Sequence, residues 1–284
     1  MEWLNQLQMI SSKNFKLTQD NYYDSESEWP YQSKTWFQKF LDCEAAALAA
    51  LKSPLPVTKK ATPLLVGNYL HSYFESPHAH EQFIEENKDD IFFSSGKNKG
   101  KEKADFLQAE KMIESLEADD AFRKLYQGEK EVIVEGNIFG VQWKGKIDCL
   151  DLDNHVFYDL KTVDNIHKKH WNNELHQYVS FAEDRGYDTQ MAVYRELIQQ
   201  TFGVDCVPYI IAISKQDIPD KAIFRVPERI TQKKMEMIEE LQPRVEAVKN
   251  GEVKPVRCEH CDYCRSTKQL AGMRIKDIDE IEFY

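Results

Sequence analysis

The segment "GKIDCLDLDNHVFYDLKT", residues 145–162, carries two carboxylates, Asp148 and Asp159, each set against an apolar run, with Lys161 two places after the second acid. Burying two carboxylates together without a counter-charge is costly, and a divalent ion removes that cost. Neighbouring strands lie about 4.8 Å apart, so acids on facing positions of adjacent strands reach one cation between them. Mg²⁺ suits such a place because it takes one or two protein carboxylates and leaves positions for water and phosphate oxygens. Lys161 shares a strand face with Asp159 and can hold or polarise a water beside the ion, while Leu160 between them points into the core. Phosphodiester hydrolysis needs this set: a cation on the scissile phosphate, an activated water and a positive group near the attacking oxygen. An acid two residues before a lysine is also a common chance pattern, and a surface hairpin with ordinary charges is the plain alternative.

A second constellation lies in "RCEHCDYCR", where Cys258, Cys261 and Cys264 are spaced C-x2-C-x2-C. That spacing is close to ferredoxin-type cluster ligation, and three thiolates are one short of a full set. Four thiolates also suit tetrahedral Zn²⁺, and His260 would complete the site only with awkward local geometry. Cys149 and Cys206 fall in apolar strand contexts and read as core residues. Without a secretory leader, six cysteines do not read as a disulfide framework.

These residues need elements to hold them. A chain of 284 residues, 42% hydrophobic, buries one sizeable core, and one main domain is expected over 1–250, with a cysteine-bearing segment over 251–284 packed on it. No stretch reaches the eighteen or so apolar residues of a membrane span, and "MEWLNQLQMI" lacks a basic leader with a cleavage site, so a cytoplasmic location is expected. A net charge of -11 argues against a protein that coats nucleic acid. Local basic stretches could still line a cleft: "KNKGKEK" at 97–103, "HKKH" at 167–170 and the pair at 233–234, although each alone reads as a solvated face.

The first thirty or so residues are polar and irregular. Periodicity then predicts a helix near 32–52 and another after Pro63, with Leu64, Gly67, Leu70, His71 and Phe74 on one side. One or two helices follow over 104–128. From 129 to 162 the chain turns rich in β-branched and aromatic residues broken by glycines and an Asp-Asn turn, which predicts successive antiparallel strands and puts the two acids on neighbours. Helices are expected at 171–184, 188–202 and from 228 to Gly251, with strands in "CVPYIIAIS" and "AIFRVP".

With these elements in place, "GKIDCL…VFYDLKT" resembles the G-x-x-D…D-x-K core of the PD-(D/E)XK nucleases, and more closely that of RecB/RecE-type exonucleases. "GNYLHSYFE" is similar to the subgroup's G-x-x-x-H motif, and "DTQMAVYRELI" contains its Q-x-x-x-Y element. The resemblance spans residues 36–265 with the motifs in family order. It implies an α/β (α+β) restriction-endonuclease-like core, a central mixed sheet flanked by helices, with the cysteine cluster C-terminal to it.

It further implies catalytic roles for Asp148, Asp159 and Lys161, a metal set of His71, Asp148 and Asp159 holding Mg²⁺ or Mn²⁺, and DNA contacts from Gln190 and Tyr194. Glu135 stands where related exonucleases often carry a supporting acid, though it could equally pair with a lysine of the sheet. RecB-like nucleases that carry a [4Fe-4S] cluster place one cysteine before the core and three after it, which makes Cys43 the fourth ligand beside Cys258, Cys261 and Cys264, with Zn²⁺ as the rival. The implied activity is exonucleolytic digestion of linear duplex DNA, 5′ to 3′, in recombination or repair, in a bacterial or phage-infected cell. RecE-like relatives form rings and hand the remaining strand to an annealing protein. The competing reading is a catalytically silent DNA-binding or partner-docking module that kept the fold.

Overall fold

The computed structural model describes residues 15–53, 61–172, 176–270, 275 and 277–280. The first fourteen residues of the expected irregular stretch lie outside them. Two compact units emerge, one from 56–168 with 180–235, the other from 1–55 with 169–179 and 236–284.

The unit built on 56–168 and 180–235 carries the sheet. Its helices are α4 (Thr62–Glu75), α5 (Pro77–Glu86), α6 (Lys88–Ile91), α7 (Ala104–Glu117), α8 (Asp120–Leu125), α9 (Phe181–Asp184), α10 (Tyr187–Phe202) and the first part of α11 (Glu228–Lys249). Starts are marked where the sequence offers a cap: Ser76 accepts from the Ala79 amide, Asp119 from Ala121 and Phe122, and Ser180 forms a capping box with Glu183. The strands are β1 (Glu129–Ile138), β2 (Val141–Asp151), β3 (Val156–Val163), β6 (Val207–Ser214) and β7 (Lys221–Arg225), in the order β1-β2-β3-β6-β7. The first three form the antiparallel meander expected from 129–162, β3 pairs β6 in parallel, and β7 returns antiparallel, so the sheet is mixed.

One face is buried by α4, α7 and α8, whose Leu65, Tyr69, Leu70, Phe106, Met112 and Phe122 pack with Cys149, Tyr158, Leu160, Ile211 and Ile213 of the strands. On the same unit α10 lies on β1 and β2, and a Cβ at Gly145 would fall 2.8 Å from the Tyr194 ring. Glycine there lets the helix sit close. Cys206 is fully buried like Cys149, as expected of core residues.

The other unit holds α1 (Ser25–Glu28), α2 (Lys34–Asp42), α3 (Glu44–Lys52), the hairpin β4 (His170–Asn172) with β5 (Gln177–Val179), the rest of α11, and α12 (Asp262–Ser266). Two expectations are corrected. The single helix over 32–52 is two, because Cys43 is extended (φ -165°, ψ 104°) and both ends α2 and starts α3. The helix over 171–184 is replaced by the β4–β5 hairpin, with only Phe181–Asp184 helical. Alternating side chains on a short antiparallel ladder took precedence over the helix-forming Glu, Leu and Gln in that stretch. No helix among the described residues is long and apolar enough to cross a membrane.

Candidate active site

The site grows from the β2–β3 hairpin. Cys149 pairs with Tyr158, so Asp148 and Asp159 stand one step further along the same register on adjacent strands. Asp148 Oδ2 accepts from the Leu160 amide at 2.8 Å, which ties the first acid to the strand of the second. Lys161 Nζ is 2.6 Å from Asp159 Oδ2, while Leu160 between them is buried in the core. The alternation read from the sequence is thus realised.

The helix α4 meets β3 at Gly67, where a Cβ would make ordinary contact with Thr162 Oγ1 at 3.5 Å. One turn on, His71 brings Nδ1 to 3.4 Å from Asp148 Oδ2. A third donor joins them: one oxygen each from Glu131 and Asp148 and one nitrogen from His71 lie within 4.8 Å of one another. The β1–β2 ladder pairs Lys130 with Cys149 and Val132 with Ile147, and between these Glu131 takes φ +53° opposite Asp148. A non-glycine residue in that region costs on the order of 1–3 kcal/mol and such residues cluster at functional sites. Glu131 is also 2.9 Å from Lys146 Nζ.

Glu135 is elsewhere. It is exposed and pairs across the ladder with Lys144, four residues from Glu131, which is about 13 Å along a strand. The acids at 129, 131 and 135 look alike in sequence, and only the register separates them. Tyr187, at the start of α10, carries no motif that marks it in the sequence; its ring centre lies 4.9 Å from Lys161 Nζ.

Asp159 holds the other side of the site. Gln190 Nε2 donates to Asp159 Oδ1 at 3.2 Å and to the Tyr194 hydroxyl at 2.8 Å, so the Q-x-x-x-Y pair shares a helix face and reaches the second acid. Asp159 Oδ2 is buried and has the ion contact with Lys161 but no aligned hydrogen bond.

The electrostatics follow from burial. Burial pushes Asp148 up to about 7, against the pull of Lys161, and Asp159 up to about 6, again against Lys161. For Lys161 burial works the other way, yet Asp159 and Asp148 hold it above its ordinary value. Burial, then Lys161, keep His71 below the usual imidazole value, which favours the neutral, ligating form. Two reluctant carboxylates, the carboxylate of Glu131 and a neutral imidazole fit a hard divalent cation, which would relieve the cost of the buried charge.

The cysteines form a separate cluster. Cys43, Cys258, Cys261 and Cys264 bring their sulfurs within 4.8 Å of one another, with Cys43 to Cys264 at 3.6 Å and Cys258 to Cys264 at 4.0 Å. Amides of Cys261 and Cys264 point at the sulfurs of Cys258 and Cys261, at 3.3 and 3.4 Å. Glu44, next to Cys43, is bound by Arg244 and by the Val256 amide at 2.6 Å, holding the start of α3 to the C-terminal segment. Four thiolates so gathered fit a thiophilic metal; His260 is not among the four donors, as its Nδ1 faces the Cys258 carbonyl.

A mixed sheet with helices on it, an acid on each of two adjacent strands and a lysine two residues after the second define a PD-(D/E)XK-type protein. The chain belongs to the family described as "PDDEXK-like domain of unknown function (DUF3799)", whose model matches residues 33–267. A crystal structure from Eubacterium rectale named "Putative exonuclease" superposes with a TM-score of 0.84 at 36% identity, covering 94% of this chain and 98% of that one. The structure of SSO0001 aligns at 16% identity and a TM-score of 0.30 over 81% of this chain and 92% of that chain. No curated protein matches the chain.

Proposed function

We propose that this protein is a metal-dependent DNA exonuclease that hydrolyses phosphodiester bonds of linear DNA. The observation that carries it is the convergence of His71, Glu131, Asp148, Asp159 and Lys161 on one end of the β2–β3 hairpin. His71, Glu131 and Asp148 would hold Mg²⁺ or Mn²⁺, with Asp159 completing the acidic wall. The ion would supply charge neutralisation at the phosphate and an activated water. Lys161 stabilises negative charge developing beside Asp159, and Gln190 orients that carboxylate while offering a polar edge to the DNA strand. Glu131 takes the supporting role that the family resemblance suggests for Glu135, which could equally pair with a lysine of the sheet.

The finer reading follows the RecE resemblance: duplex ends, 5′ to 3′ polarity, a ring of subunits and hand-over to an annealing protein in recombination. The silent-module reading is disfavoured by the two buried acids, which a protein without a cation has no physical reason to keep. The test is digestion of end-labelled linear duplex with Mg²⁺ or Mn²⁺. Cleavage that needs the metal and is lost in Asp159→Ala, with the fold intact by circular dichroism, is the expected result; Asp159→Ala cutting at the wild-type rate refutes the assignment.

For the cysteine site, the resemblance favours [4Fe-4S], and the close approach of the sulfurs favours one ion. A tetrahedral Zn²⁺ with about 2.3 Å bonds separates its thiolates by about 3.8 Å. Brown protein with about four irons per chain selects the cluster; a colourless protein with one zinc selects the ion.

A further inference from the structure

We propose that the β4–β5 hairpin is a stacking platform for an unpaired DNA strand, Trp171 and Tyr178 taking the bases and Lys169, just before them in the chain, taking the backbone. The identity of the ligand rests on the nuclease reading.

Trp171 and Tyr178 are register partners, so they share one face of the hairpin. Their rings meet edge to face, with centroids 5.2 Å apart and planes at 75°. That geometry leaves ring faces open, and the residues are 51% and 64% exposed. Trp29, Trp36 and Trp143 are all less exposed, which leaves Trp171 as the exposed tryptophan among the described residues. A cross-strand aromatic pair would steady a short hairpin, yet a pair serving that end alone gains by being covered.

Lys169, two residues before Trp171, is exposed, and the described residues of the hairpin carry no acid, with Glu174 standing between its strands in the sequence. Exposed aromatic faces beside a lysine suit single-stranded nucleic acid, because every base has a π-face and every linkage a negative charge. An intact duplex hides its base faces, so the platform selects an unpaired strand. In chain order the hairpin lies between the strand of Lys161 and the helix of Gln190.

The test uses the full chain in EDTA, where no metal-dependent cleavage intervenes, and titrates oligo(dT) and a blunt duplex. Wild-type tryptophan emission should be quenched by oligo(dT). Trp171→Ala should weaken single-strand binding about tenfold, within the range for loss of one stacked base, with much less effect on the duplex. Trp171→Phe should keep the affinity and lose the quench. Equal affinities for wild type and Trp171→Ala, or an equal loss for single strand and duplex, overturn the proposal. The nuclease reading fails separately: a chain that binds oligo(dT) through Trp171 but cuts nothing with Mg²⁺ supports the platform alone, and one that cuts with Trp171→Ala binding unchanged refutes the platform alone.

Discussion

Glu131 and Glu135 are four residues apart on β1, and one of them sits with His71 and Asp148. Glu131→Gln removes a charged donor from that set, so cleavage should fall by about a hundredfold, a drop typical of losing one electrostatic group at a reacting centre. Glu135→Gln should cut at close to the wild-type rate in the same end-label assay. Asp148 supports a second expectation. Its proton is held up to about 7, chiefly by burial, against an ordinary value of 3.8. A raised carboxyl favours the folded state fully below the unfolded value, and that contribution is lost as pH rises through about 7. The metal-free protein should therefore melt lower at pH 8 than at pH 5, and Asp148→Asn should flatten the slope. At pH 8 the variant should melt about 2–4 °C higher for each kcal/mol of buried charge removed, read by thermal denaturation in EDTA.

At the level of elements, the site depends on how closely α10 lies on the sheet. Gly145→Ala would drive a Cβ into the Tyr194 ring, displacing the hydroxyl that Gln190 holds while it reaches Asp159. Overpacking of this kind costs about 1–3 kcal/mol; a lowered denaturation midpoint together with reduced cleavage is expected, against unchanged cleavage if the Gln190 contact is idle. Much of this level was legible in the chain. The period-two meander over 129–162 and the D-x-K face put Asp148, Asp159 and Lys161 together from the sequence alone, because strand alternation is a local rule. Glu131 was hidden because its left-handed backbone comes from tertiary context, not from residue type. The break at Cys43 carries no glycine or proline to announce it; the gathering of its sulfur with Cys258, Cys261 and Cys264 goes with an extended residue there. The β4–β5 hairpin is hidden for a related reason, since three pairs are too short to show a period.

For the whole molecule, charge decides how DNA is met. With 48 acids against 37 bases the chain repels a polyanion in general and admits it only along local basic strips. An enzyme that engages through such a strip and an exposed stacking face works best where strands come apart, which is at ends. Linear duplex should be degraded while covalently closed circles survive, measured on one plasmid before and after a single restriction cut. Rapid loss of the closed form would mark an endonuclease.

The strained backbone at Glu131 bears on how this family changes over generations. If Glu131 holds the metal as proposed, then as long as cutting is selected position 131 keeps a side chain that its φ of +53° penalises. Once a lineage no longer depends on cutting, the penalty has nothing to offset it, and glycine or asparagine, which tolerate that region, become favoured there. Family members that have lost the equivalent of Asp159 or Lys161 should carry glycine or asparagine at this position more often than intact ones, and a survey finding glutamate equally frequent in both groups would contradict it. Position 131 would then serve as a clock of disuse, starting when the nuclease stops being one.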